Sequence, residues 1–310
     1  MDKEKDLQQE FDIIRKERDA LLGIKTIRDY SIKEVNRKSS EATAFIVLSD
    51  FHCEETVKKS TVNDMNEYSL EIADYRINRV FQNAMAIFNA LQKDIKITHI
   101  VLALLGDFIS SNIHEELMEN CSLRPIEAIM WVQDRLSAGI KYLLTNIPKE
   151  IDITVVCCSG NHSRITDKLH VSTASGNSLE FFMYNNLRDN LTDERLKWVV
   201  NDAYHTYLKV YKYVIRFHHG DGMRYLGGIS GIFIPAYKAI SQWNKIIRAD
   251  LDIFAHFHQM KDGGNFLSNG SLIGFNAYAL RIKADFEKPK QLFFLLDKKH
   301  GKTITTQIYM

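Results

Sequence analysis

The chain has 310 residues, 45% of them hydrophobic and 25% charged, with four prolines, which is the composition of a soluble globular protein with material for one large core or two modest ones. A formal net charge of +1 provides no global positive field to advertise nucleic-acid binding. No apolar run approaches the roughly 18 residues that a membrane-spanning helix requires, so no membrane partner is expected.

In chain order, residues 1–40 are highly charged, and Leu7, Phe11, Ile14 and Leu21 fall on one helical stripe. A charged helical extension is expected there, packed on its own domain or mediating a homodimer. Gly23 and Ser39-Ser40 punctuate it before a second domain over 41–310. The N-terminus lacks the apolar core of a signal peptide, and the four cysteines (Cys53, Cys121, Cys157, Cys158) form no Cys-x-x-Cys pair. Reduced thiols and a cytoplasmic location follow as expectations.

Residues 45–49 predict a buried strand that stops at Asp50-Phe51-His52, and 71–93 predict a helix with Ile72, Tyr75, Val80, Ala84, Ile87, Phe88 and Leu91 on one face. The apolar run 98–105 ends in Gly106-Asp107. Pro125 suits the first position of a helix reaching about residue 146. Residues 151–158 read as a strand ending in Ser159-Gly160-Asn161-His162, and 178–191 as a helix. A strand pair is expected over 204–211 and 213–218, a helix over 231–247, and a short strand over 252–255 ending at His256-Phe257-His258. Further strands are expected near 265–267, 275–282, 291–296 and 303–309.

Each of these strand ends, alone, is an ordinary turn. Together, five apolar runs finish in side chains that ligate divalent metals: Asp50 and His52, Asp107, Asn161 and His162, His219, then His256 and His258. The carboxyl edge of a sheet is where open α/β folds keep their sites.

This ordered set resembles the calcineurin-like metallophosphoesterases, over roughly residues 44–282. The matching segments are Asp50-Phe51-His52, Gly106-Asp107, Gly160-Asn161-His162, His219-Gly220 and Ala255-His256-Phe257-His258, with Ala255 where Gly is usual. The resemblance implies a four-layer α/β fold, two mixed β-sheets packed as a sandwich flanked by helices, with a dinuclear metal site at the strand ends. It implies that Asp50, His52 and His258 hold one ion, that Asn161, His219 and His256 hold the other, and that Asp107 bridges them. His162 becomes the catalytic residue that protonates the leaving group or stabilises the transition state. Two divalent cations are implied. Mixed nitrogen and oxygen ligands suit Mn²⁺, Fe or Zn²⁺ better than Mg²⁺, and Mn²⁺ is placed first. Ser163 stands where many relatives carry an acid beside that imidazole, so any acid partner of His162 must come from elsewhere. Arg164 and His114 are candidate substrate contacts. His218 is the alternative to His219, disfavoured by the His-Gly pattern and by strand alternation.

The pattern looks most like phage- or plasmid-encoded members, through Ile113-His114-Glu115-Glu116-Leu117 and Asn269-Gly270-Ser271-Leu272, and more distantly like SbcD-type DNA repair exonucleases. The resulting expectation is a phosphodiesterase acting on DNA or RNA, in the host cytoplasm if phage-encoded. A small-molecule phosphoesterase taking a nucleotide, cyclic nucleotide or phosphomonoester is the alternative, favoured by the near-zero charge. A non-catalytic metal-bound scaffold is the third reading. Residues 163–200 are expected to select the substrate, with Phe181, Phe182 and Tyr184 either stacking on bases or filling the core.

Overall fold

The computed structural model describes residues 2–25, 31–32, 40–224 and 231–310. The chain divides into two compact units, Met1–Lys38 and Ser39–Met310. The first contains α1 (Asp2–Lys25), on which Leu7, Phe11, Ile14 and Leu21 are all exposed. The punctuation expected at residue 39 lies outside the described residues.

In the second unit the elements follow as β1 (Glu41–Leu48), α2 (Leu70–Leu91), β2 (Lys96–Leu104), α3 (Glu115–Asn120), α4 (Pro125–Asn146), β3 (Asp152–Cys157), α5 (Leu179–Asn190) and β4 (Leu196–Val200). Then come β5 (Thr206–Val210), β6 (Tyr213–Phe217), α6 (Phe233–Trp243), β7 (Leu251–Phe254), β8 (Lys261–Asp262), β9 (Phe266–Ser268), α7 (Ala277–Ile282), β10 (Lys290–Asp297) and β11 (Gly301–Tyr309). One sheet has the order β11-β10-β1-β2-β3-β4 and the other β5-β6-β7-β9-β8. Strands β1, β2, β3 and β4 run parallel, with β10 antiparallel to β1. In the second sheet β6, β7 and β9 are parallel, and β5 and β8 are antiparallel to their neighbours.

Side-chain alternation builds the layers, because successive residues of a strand face opposite sides. From β1, Ala44, Ile46 and Leu48 enter one core with residues of α2, α4 and α5, whereas Phe45 and Val47 enter a second core between the sheets. Cys157 and Cys158 divide the same way, and all four cysteines are free. A third core holds Phe254 and Phe266 against Ala236 and Ile240 of α6. The order of layers is therefore helices, sheet, sheet, helix: an α/β fold of two mixed sheets flanked by helices. Local signals agree with the long helices. Ser69 caps α2 by accepting from the Ile72 N–H at 3.3 Å, and Pro125 opens α4 while Glu127 accepts from the Arg124 N–H at 2.9 Å. Among the described residues no helix is long and apolar enough to cross a membrane.

One expected strand is a helix. Residues 275–282 contain α7, because the Asn276 side chain caps its first turn by accepting from the Ala279 N–H at 3.2 Å, and Lys283 closes it in the left-handed conformation. The apolar positions there were compatible with period two, and the cap decided otherwise. Three short elements, α3, β4 and β8, were not anticipated. Strand β4 extends the first sheet and α5 buries Met183, Tyr184 and Leu187, so the later part of segment 163–200 belongs to the framework. Tyr184 lies in the core and Phe182 is exposed.

Candidate metal centre

The loops after β1, β2 and β3 are stitched together by extensions of the sheet. Leu105 N–H donates to Leu48 O, Cys158 N–H to Leu104 O, Asp50 N–H to Gly106 O and His52 N–H to Asp107 O, all within 2.8–3.1 Å. The second sheet contributes the loops after β6 and β7, joined where the Ala255 N–H donates to His219 O at 2.7 Å. The two sheets meet at the site itself: His219 Nδ1 donates to Leu105 O at 2.7 Å, and the His256 N–H donates to Asp50 Oδ2 at 3.3 Å.

Asp50, His52, Asp107, His256 and His258 all have positive φ, between 45° and 73°. A side chain there costs about 1–2 kcal/mol per residue, and such strain persists where the surroundings over-determine it, most often at functional sites. Two glycines permit the closest approach. A Cβ on Gly106 would lie 2.1 Å from Gly160 N, and a Cβ on Gly160 would lie 2.1 Å from Asp107 Oδ1. No other residue lets these loops touch.

Three overlapping groups result: Asp50, His52 and His258; His52, Asp107 and His162; and Asp107, His219 and His256. Within each, the ligand atoms lie within 4.8 Å of one another. Sharing His52 and Asp107 makes them one continuous cluster. Asp50 Oδ1, His52 Nε2, Asn161 Oδ1 and His258 Nδ1 are buried without a hydrogen-bond partner among the described residues. Leaving such atoms unpaired costs several kcal/mol in total, at about 1–3 kcal/mol per group. Divalent cations held in the cluster would satisfy such atoms, and the mixed imidazole, carboxylate and amide set is transition-metal chemistry. The residues fit the group.

The electrostatics agree with that fit. Burial pushes Asp50 up to about 7, and the neighbouring Asp107 charge adds to the rise. Burial would raise Asp107 too, but the imidazoles of His219 and His162 hold it well below the usual carboxylate range. For His219 the burial works against the charge, yet Asp107, whose Oδ2 is 2.8 Å from His219 Nε2, raises it to about 10. Burial lowers His258 to about 3 and carries His52 and His256 well below their ordinary value. Without an ion, Asp107 and His219 form a charge pair, and the imidazoles of His52, His256 and His258 are neutral lone-pair donors. A metal ion held by His219 Nε2 would have to displace the proton on that atom.

Of the other candidates, His218 points away from the cluster, with its ring stacked on Phe254 and edge-on to Trp243. Arg164 spends its guanidinium on its own loop, donating to the carbonyls of Asn161 (2.6 Å), Thr166 (3.1 Å) and Asp167 (3.3 Å). His114 is exposed, its ring centroid 6.2 Å from that of His162. His162 Nδ1 lies 3.0 Å from the Ser110 carbonyl, which can only accept, so Nδ1 carries the proton and Nε2 is left free.

Several residues to which the sequence assigns no role in the site support it. Asn269 Nδ2 donates to Ser49 Oγ at 2.7 Å, and Ser49 Oγ donates to Asp50 Oδ2 at 2.7 Å, which orients that carboxylate. Glu180, buried in the first turn of α5, accepts from the Phe108 N–H and the Gly160 N–H, each at 2.7 Å, and so clamps the Asp107 loop to the Asn161 loop. In sequence, Glu180 is only an acid near a helix start.

Burial, with the Asp107 charge behind it, raises Glu180 to about 7. A carboxyl raised on folding contributes stability that is present at low pH and lost as pH climbs through its folded value. Glu180→Gln leaves one backbone N–H facing an amide donor and is expected to cost about 1–3 kcal/mol. That penalty should be largest near pH 5 and shrink toward pH 8. Thermal unfolding of the metal-free pair at both pH values checks it, and a penalty that grows with pH refutes the assignment.

No protein-family model matches the chain, and no curated protein matches it in sequence. Among solved structures, the chain is similar to an archaeal phosphodiesterase, with 11% identity over 86% of this chain and 99% of that one, at a TM-score of 0.37. It is also similar to a hypothetical protein from Pyrococcus horikoshii OT3, with 13% identity over 86% and 88% of the two chains and a TM-score of 0.40. A predicted phosphoesterase from Streptococcus pneumoniae TIGR4 gives 11% identity over 86% and 97%, with a TM-score of 0.32.

Proposed function

We propose that this protein is a metal-dependent phosphoester hydrolase with a dinuclear centre, acting on the phosphodiesters of DNA or RNA as a nuclease. The observation that carries the reading is the continuous cluster of three overlapping groups, joined through His52 and Asp107, in which several buried ligand atoms have no hydrogen-bond partner among the described residues. Asp50, His52 and His258 would hold one cation and Asn161, His219 and His256 the other, with Asp107 shared between them. Mn²⁺ is the first choice, ahead of Fe and Zn²⁺. When bound, the pair supplies Lewis acidity and a water of lowered pKa beside the phosphorus.

The chain's own residues do the rest. His162, held through Nδ1 by the Ser110 carbonyl, presents Nε2 to the leaving oxygen, and in its doubly protonated form delivers the Nε2 proton there. His114 extends the same face and contacts a phosphate beyond the scissile one. Arg164 acts by holding the Asn161 carbonyl, and with it the ligand loop. Next to Gly160 a cavity is lined by Arg164, Thr166, His170, Phe181, Tyr204 and Asp221, so segment 163–200 supplies one wall for substrate selection.

A second reading, a small-molecule phosphoesterase, is favoured by the net charge of +1. A metal-by-substrate activity matrix decides between them, with Asp107→Asn as the blank. Mn²⁺-stimulated cleavage of oligonucleotides supports the nuclease. Oligonucleotides left intact under every metal, beside robust turnover of chromogenic monoesters, would establish the second reading.

A further inference from the structure

A hydrogen-bonded chain runs from α7 into the metal centre. Asn276 uses its Oδ1 to cap α7, which turns its Nδ2 toward Glu55 Oε1 at 3.1 Å. The other carboxylate oxygen, Glu55 Oε2, accepts from Ser110 Oγ at 3.2 Å. Ser110 Oγ in turn lies 2.9 Å from His52 Nδ1. The hydroxyl has one proton, and with Glu55 ionised it goes to that carboxylate. Ser110 Oγ must then accept, so His52 Nδ1 carries a hydrogen and Nε2 keeps its lone pair. Nε2 is the atom left buried and unpaired beside Asp50 and His258. Ser110 is fully buried, and its amide is pinned by a 2.8 Å bond to Glu54 Oε1, so neither its hydroxyl nor its carbonyl is free to wander. Its carbonyl also holds His162 Nδ1, and the His52 and His162 rings meet edge to face at 4.8 Å.

We propose that Glu55 is a positioning residue of the metal centre: acting through the Ser110 hydroxyl, it fixes His52 in the tautomer whose Nε2 faces the cation. Ser110 thereby orients the ligand imidazole with its side chain and the catalytic imidazole with its backbone. A carboxylate behind a metal-ligating histidine sets ring orientation and raises ligand basicity. Here the carboxylate comes from the loop after β1 and is relayed by a serine from the loop after β2. The inference rests on the dinuclear reading above.

The test uses full-length, metal-free protein and calorimetric titration with Mn²⁺. Wild type is expected to bind two ions. Ser110→Ala and Glu55→Gln should each weaken one of the two events about 10–100-fold and spare the other. The double variant should be no weaker than the weaker single one, since both act through one relay. Histidine ¹⁵N spectra of the metal-free proteins give a second readout: the Nδ1–H form of His52 dominates in wild type and gives way to a tautomer mixture in Ser110→Ala. Wild-type affinity at both sites in the two variants overturns the proposal, as does additive weakening or an unchanged tautomer. A wild type that binds no ion overturns the dinuclear reading and this inference with it, whereas normal binding in wild type and both variants overturns this inference alone.

Discussion

Asp107→Asn is expected to abolish hydrolysis, lowering kcat by about 10³-fold or more, which corresponds to at least about 4 kcal/mol of barrier. The side chain belongs to two of the three ligand groups, so its loss affects both proposed ion positions at once. Asn preserves the shape, and its oxygen still accepts from the His162 N–H, a bond of 2.8 Å in the native protein. What disappears is the negative charge, and an amide NH₂ takes the place of Oδ2, which now lies 2.8 Å from His219 Nε2. A cation cannot replace the His219 proton against an amide donor. Bound metal should therefore fall from two ions per chain to one or none, measured by elemental analysis after dialysis. The variant also releases His219 from the charge that raises it to about 10, so the metal-free variant should take up no proton on His219 near pH 8. Activity within tenfold of wild type, or two retained ions, would refute the bridging role.

The ligand loops were legible because their side chains are rare at strand ends and recur in order, and because β-branched runs announce the strands that carry them. Layering was legible for a related reason: the alternation of Phe45 and Val47 with Ala44, Ile46 and Leu48 separates two cores before any coordinate is known. Alternation likewise separated His218 from His219. The parts that stayed hidden depend on contacts between distant loops. Glu55, Ser110 and Asn276 each look like polar turn residues, and only the closure of β1 onto β2 and the capping of α7 bring them into line. Glu180 is hidden for the same reason, since the two N–H groups it binds lie on different loops. Arg164 shows the converse. A basic residue beside Gly160-Asn161-His162 invites a phosphate-binding assignment, but the path of the backbone curls three carbonyls around its guanidinium. Strand β4 is five residues at the sheet edge, too short a run to register as a strand.

The second large effect is expected from His162→Ala, and its diagnostic is the leaving group. His162 belongs to the middle ligand group with His52 and Asp107, so a loss of activity alone would not separate a proton donor from a metal ligand. A general acid contributes about 10²–10⁴-fold, and its contribution follows the basicity of the atom it protonates. An oligonucleotide or alkyl diester leaves as a strongly basic alkoxide and should suffer the full loss in kcat. A bis(4-nitrophenyl) diester leaves as a weakly basic phenolate and should lose only about tenfold, because departure hardly needs the proton. Metal content should stay at two ions per chain and KM should change little, since the imidazole acts in the transition state more than in binding. Two outcomes would sink the assignment. Equal losses for both esters would make His162 an electrostatic stabiliser, and loss of one bound ion would make it a ligand, turning the Ser110 carbonyl into support for a metal-bound ring.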